Sequence, residues 1–219
     1  MKKELIIITV LICGLKLSAQ TDTLSVTNSK DYYDAFDGYL NKITFNFGIG
    51  AFVPKGNLKT YFGDAPLFEI SVSFPLKKAK SLEAVFQIII PDQQEDFLFL
   101  RTIDTINVKS TSMFNGFIRF KKSVQNSRKS KVNLGLGIGV STITTNARNP
   151  FYNGRKDESK YEFISSLLLI PGLAWSYTFS EHAKFTLGLD LQYSPYKIEG
   201  ALREDIGQIA LIPKISYRF

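Results

Sequence analysis

Cysteine is all but absent from this chain: Cys13 is the only one, and it lies in an apolar stretch near the amino terminus that reads as a removable secretory signal. Without that stretch no cysteine remains, so disulfides cannot brace the fold and thiol chemistry is excluded. Histidine is as scarce. His182 stands alone in a tight, solvated turn, whereas zinc sites draw on three or four clustered donors, so no metal is expected. Long hydrophobic runs are missing too, because the run from Leu5 to Leu15 falls well short of the roughly 20 residues a spanning helix needs. The net charge is +7, of which Lys2, Lys3 and Lys16 against Glu4 account for +2, leaving a mildly basic +5. That charge is too dispersed for the concentrated patch of a nucleic-acid binder, so no nucleic-acid partner is expected. No cluster of side chains argues for catalysis or for a cofactor.

What is present is apolar and aromatic. With 44% hydrophobic residues, 18 Phe, 10 Tyr and 21% charged residues, the chain is not a disordered, solvating one. Its 219 residues suit one all-β domain. Lys2 and Lys3, the apolar run, then Leu17, Ser18 and Ala19 before Gln20 follow the order of a secretory signal. We expect residues 1–19 to be cleaved off, 20–41 to form an N-terminal segment, and 42–219 to fold as one domain. Ile12 stands before Cys13 where a lipoprotein signal needs a small residue, which argues against a lipid anchor. The stretch from Asp31 to Leu40 sets Tyr32, Tyr33, Phe36 and Tyr39 among Asp31, Asp34 and Asp37. It reads either as a plug or docking segment or as a short helix covering a rim.

From Lys42 onward apolar residues recur with a period of two, in segments of about ten residues separated by turn residues. In Lys42 to Val53 the odd positions Ile43, Phe45, Phe47, Ile49, Ala51 and Val53 are apolar, against Thr44, Asn46, Gly48 and Gly50. The alternation returns in Leu67–Leu76, Ser81–Ile90, Val108–Phe120, Lys131–Thr145, Glu162–Phe179, Lys184–Tyr196 and Asp205–Phe219. That makes eight strands, the even number a closed up-and-down barrel with both termini on one side requires. Around Leu167 to Ile170 both faces are apolar, which leaves the register open there. Phe97 to Val108 either extends the neighbouring strands above the membrane or holds an extra pair, which leaves a ten-strand count open.

Connections alternate between short and long. Pro75–Lys80 and Ser180–Ala183 are short, whereas Pro54–Ala65, Pro91–Asn107 and Asn146–Lys160 are long and polar, as in membrane barrels with short periplasmic turns and long outer loops. Lys121–Ser130 breaks the pattern, with about ten residues where a tight turn is expected. Alternation alone does not separate a membrane barrel from a soluble one. The polar face decides, because it is mostly Gly, Ser, Thr and Asn rather than the Lys and Glu of a water-facing surface. Small residues suit a narrow lumen, and the apolar face then meets lipid. Phe45, Phe74, Phe120, Trp175, Tyr177, Phe179, Phe185, Tyr217 and Phe219 gather at one rim, as in an interfacial girdle. The expected fold is thus an all-β, transmembrane antiparallel up-and-down barrel.

The ending Ile215, Ser216, Tyr217, Arg218, Phe219 resembles the terminal-strand signal of small bacterial outer-membrane β-barrel proteins, a porin-like class. The resemblance covers about residues 42–219. It implies that Tyr217 and Phe219 serve as the signal read by the barrel-assembly machinery, and that the mature protein resides in the outer membrane. The Leu17, Ser18, Ala19, Gln20 junction is similar to those of secreted proteins of Bacteroidota. Neither resemblance carries a biochemical activity.

Two groups of residues are candidate sites. Glu69, Glu83 and Asp190 face inward with Arg119, Lys214 and Arg218, which suggests an ionic network across the lumen. Arg148, Arg155, Lys156 and Lys160 gather with Phe151 and Tyr152 in the loop after the fifth strand, a pattern suited to lipopolysaccharide phosphates or a surface glycan. The expected function is a non-enzymatic barrel with a mostly packed lumen, offering a binding or structural surface in the cell envelope. Outer-membrane lipid and an envelope protein complex, of which it is an accessory subunit, are its expected partners. The alternatives are a narrow transport channel, a lipid-modifying enzyme and a soluble periplasmic carrier.

Overall fold

The computed structural model describes residues 40, 42–100, 104–127, 129–154, 160–179, 183–196 and 206–218. The signal at 1–19 with Cys13, the segment 20–41 apart from Leu40, and Arg155, Lys156, His182 and Phe219 lie outside the described residues.

Each alternating segment forms a strand. In chain order they are β1 (Thr44–Lys55), β2 (Ala65–Leu76), β3 (Lys80–Ile89), β4 (Phe97–Leu100), β5 (Thr105–Val108), β6 (Ser110–Asn126), β7 (Ser130–Arg148), β8 (Tyr161–Thr178), β9 (Lys184–Tyr193) and β10 (Ile209–Arg218), with a one-turn helix α1 (Leu58–Tyr61) between β1 and β2. Eight of them close a barrel in the order β1-β10-β9-β8-β7-β6-β3-β2. Every neighbouring pair is antiparallel, including β10 with β1. Closure leaves the barrel no sheet edge with unpaired backbone groups.

The two open points of the sequence resolve here. Phe97 to Val108 does hold an extra pair, but β4 and β5 make a separate two-stranded hairpin, so the barrel count stays at eight. The expected ten-residue turn at Lys121–Ser130 is instead short. β6 runs on to Asn126 and β7 starts at Ser130, with Ser127 N–H donating to the Ser130 carbonyl at 2.8 Å. A register shift between Ser123 and Gln125 carries the extended strand into that turn.

The outward face is apolar throughout. Phe45, Ile49, Ile70, Ile118, Ile138, Leu167, Leu173 and Leu189 are exposed, Ile138 to 59%. A soluble monomer rarely exposes so continuous an apolar surface. Phe47, Tyr217, Phe185 and Tyr177 fall in one cross-strand row near the end that carries the short turns. Along the chain at Trp175, Tyr177 and Phe179 the rings meet tilted and then edge to face, and the Trp175 indole donates to Ser130 Oγ at 2.8 Å. Phe163, Tyr161 and Tyr193 lie toward the other end. At about 3.3 Å per residue and a tilt of about 40°, the run from Phe185 to Tyr193 along β9 spans about 20 Å of the barrel axis.

The inward face changes character along the axis, beyond what its small polar residues suggested. At the end with the long loops it is apolar: Phe52, Leu67, Ile89, Met113, Ile143, Ile164 and Ile212 are buried, and Leu58 of α1 and Phe62 pack among them. This explains the doubly apolar run in β8, where Leu168 and Ile170 point inward while Leu167 and Leu169 point outward. A strap at Ile206 and Gly207 closes over Leu58. Gly207 has a φ of +96° and lies so close to the Leu58 backbone that a Cβ could not fit there. The β1–β2 connection is tied to the one after β3 by Gly63 N–H to the Asp92 carbonyl at 2.6 Å and Gln94 N–H to the Tyr61 carbonyl at 2.8 Å.

If this apolar cap holds the barrel shut, Phe52→Ala should lower the unfolding free energy by about 3–5 kcal/mol. Ile138→Ala, on the outward face, should cost less, because detergent or lipid refills the space. Urea titration of refolded protein in micelles, followed by Trp175 fluorescence, measures both.

Candidate functional site

Below the apolar cap, toward the short-turn end, the lumen turns polar in two steps. The first is a bridge of amides and hydroxyls. Asn115 Nδ2 donates to Gln87 Oε1 and to Gln192 Oε1, both at 2.9 Å. Gln192 Nε2 donates to Tyr196 Oη at 3.1 Å and to Ser194 Oγ at 3.2 Å, and Ser141 Oγ lies 2.6 Å from Tyr196 Oη. This layer ties β3, β6, β7 and β9 together across the lumen, and Gln87 Nε2 carries it on to Glu69 Oε2 at 2.7 Å.

The second step is ionic. Arg119 Nη2 lies 2.6 Å from Asp190 Oδ2 and 3.8 Å from Glu69 Oε2, and Arg119 Nη1 lies 3.8 Å from Glu83 Oε2. Lys214 Nζ is 2.8 Å from Asp190 Oδ2 and 2.5 Å from Glu69 Oε2. Lys121 Nζ is 2.7 Å from Glu83 Oε1. Three carboxylates thus meet three cations, contributed by β2, β3, β6, β9 and β10. Charges this buried are tolerable only when paired and hydrogen-bonded. The Arg119 guanidinium also lies over the Phe117 ring, 4.9 Å from its centroid.

Glycines on neighbouring strands make the room. An added Cβ at Gly172 would collide with Asp190 Oδ1; at Gly50 it would lie 2.9 Å from Lys214 Cβ, and at Gly135 3.3 Å from Arg119 Cδ. The near-ideal alternation of glycine in β7 and β1 is therefore complementary to the long side chains of β6 and β10.

Of the six residues read from the sequence as a lumen network, the structure brings Glu69, Glu83, Arg119, Asp190 and Lys214 into mutual contact. Arg218 lies nearer the short-turn mouth, opposite Lys184 across the β9–β10 ladder, and lines the same cavity of about 80 Å³. The sequence reading missed Lys121, although it shares the inward parity of Arg119 two residues away. Of the other predicted group, Arg155 and Lys156 lie outside the described residues. Arg148 ends β7, and Phe151 and Tyr152 are exposed in the turn after it, where Phe151 N–H donates to Asn149 Oδ1 at 2.9 Å. Lys160 Nζ lies over the Tyr161 ring at 5.6 Å. Tyr217 is exposed on the outward face within the aromatic row. Among the described residues, no three His, Cys, Asp or Glu side chains are placed to hold a metal ion.

Comparison with known proteins places the fold. No protein-family model matches this chain, and no curated protein matches its sequence. Among solved structures, it is similar to Neisserial surface protein A, at a TM-score of 0.55 and 9% identity over 80% of this chain and 94% of that one. The N-terminal β-barrel domain of Pseudomonas aeruginosa OprF aligns at 0.41 and 14% identity over 81% and 97%, and P. aeruginosa OprG at 0.39 and 12% identity over 81% and 94%. At 9% identity, the likeness to Neisserial surface protein A is one of fold alone, that of a small eight-stranded outer-membrane-type barrel.

Removing one member of the ionic layer leaves its partners buried and uncompensated. Asp190→Asn should lower the unfolding free energy by about 3–5 kcal/mol. A double-mutant cycle of Asp190→Asn with Lys214→Gln, read by urea titration in micelles, should show that the two losses do not add.

Proposed function

We propose that this chain is a non-enzymatic barrel of a bacterial outer membrane whose lumen is closed, so that its working surfaces are its two ends. The observation that carries this reading is the contrast between the two faces of one wall. The outward face is apolar around the whole circumference, while the inward face is filled by the apolar cap, the amide bridge and the ion layer. An eight-stranded lumen is just wide enough for side chains to fill, and here they do. A transport channel would need a continuous wet path, which the cap at Phe52, Leu58 and Phe62 obstructs.

Orientation follows from the turns. The short β2–β3, β6–β7 and β8–β9 connections, together with the start of β1 and the end of β10, belong at the periplasmic side, and the long loops outside. In this reading residues 1–19 are a cleaved signal, and the strand ending at Tyr217 and Phe219 is read by the assembly machinery. The outer loop bearing Arg148, Phe151, Tyr152, Arg155 and Lys156 offers charge and stacking to lipopolysaccharide or a glycan. A role as accessory subunit of a larger envelope complex fits a barrel whose lumen does no transport, and the Bacteroidota-like signal junction suggests the source.

Two experiments test the reading. Refolded protein in planar bilayers should give no steady current, and a reproducible single-channel conductance would favour the channel instead. In cells, Tyr152→Cys should be labelled by a membrane-impermeant maleimide on the intact surface, and Lys78→Cys only after the envelope is opened. Labelling in the reverse pattern, or recovery of the protein in the soluble periplasm, would contradict it.

A further inference from the structure

The short-turn mouth of the barrel is a basic pocket to which the proposed function assigns no ligand. It is a cavity of about 280 Å³ whose described lining includes Lys42, Lys121, Lys131, Lys184 and Arg218, and no acidic side chain among the described residues. That is room enough for a small polyatomic anion. The pocket is blind: inward it meets the paired ions, then the amide bridge, then the apolar cap. A path open at both ends conducts, whereas a pocket open at one end holds what enters it.

Its charges are placed at a cost. Lys184 and Arg218 are direct cross-strand partners on the inward face, and like charges so placed repel and destabilise a sheet. Lys131 shares the inward parity of β7 and lines the same wall. The three carboxylates deeper in are already matched by Arg119, Lys121 and Lys214, so among the described residues the ammonium groups of Lys131 and Lys184 at the mouth stand outside those ion pairs. Hydroxyls of Thr44, Ser73 and Ser81 line the pocket beside the ammonium groups. Ammonium and guanidinium charges with hydroxyl donors, in a narrow concave site, are the chemistry that holds phosphate oxygens.

We propose that this mouth binds a small oxyanion carrying two or more negative charges, of the diphosphate class, with Lys131 and Lys184 as its principal contacts. The inference needs only the barrel and its closed upper lumen, not the outer-membrane location, so either can fail alone. The phosphate can arrive in solution or on a lipid headgroup.

The test uses the full mature chain, refolded in uncharged detergent and titrated with pyrophosphate at constant ionic strength. The thermal midpoint should rise and saturate, as binding to the native state requires. Lys184→Gln and Lys131→Gln should each weaken the apparent affinity about tenfold, while their ligand-free midpoints stay level or rise because a repulsion is relieved. Lys55→Gln, exposed at the opposite end, should respond like the unaltered protein. A parallel arm compares vesicles of phosphatidylcholine with and without phosphatidic acid. Stabilisation by phosphatidic acid alone, lost in Lys184→Gln, would assign the phosphate to a lipid headgroup. No saturable rise in either arm, or equal rises in the lysine variants, would overturn the proposal.

Discussion

The interior of an eight-stranded cylinder is about as wide as the side chains that point into it, and the rest of this structure depends on that limit. Every inward residue must fit against residues of strands across the lumen, and any polar or charged atom there must find its partner inside. Closure of β10 onto β1 satisfies the backbone of the barrel wall and leaves side chains as the only unsettled account. The three levels of the lumen are the answer this chain gives. Apolar residues close the loop end, amides and hydroxyls bridge the middle, and paired ions fill the level below.

The ionic level also shows why glycine recurs on the inner wall. A Cβ at Gly172 would collide with the Asp190 carboxylate, and one at Gly50 or Gly135 would crowd Lys214 or Arg119. Small and long residues on neighbouring strands are thus one design, and neither half would be tolerable alone. The same arrangement separates a neutral, matched cluster from the basic mouth beneath it, where Lys184 and Arg218 oppose each other. The matched cluster belongs to stability. At the mouth, among the described residues, Lys131 and Lys184 stand outside those ion pairs and face the pocket.

Much of the fold was legible because a period of two records which side of the wall each residue faces. Ile43 to Val53 and Val132 to Val140 announce their strands, and the inward parity of Glu69, Arg119 and Asp190 is a local property. What faces them across the lumen is not local. The contacts of Arg119 with Asp190, 71 residues away, depend on shear and closure, and no window of sequence holds that information. Lys121 was overlooked because the strand was read as ending at Phe120, while β6 runs on to Asn126. The apolar cap was hidden for another reason: Leu58 and Phe62 lie in a connection that reads as polar loop, and the doubly apolar Leu167–Ile170 run was its only trace.

The central claim is that the lumen is packed above the ionic level and open below it. Cysteine accessibility in a lipid bilayer tests this most directly, because residues 42–219 contain no native cysteine. Ser81→Cys, at the mouth, should react with a small methanethiosulfonate reagent added from the short-turn side. Ser141→Cys, in the amide bridge, should resist the same reagent from either side until the protein is unfolded. Rapid modification of Ser141→Cys in the folded barrel would contradict the account.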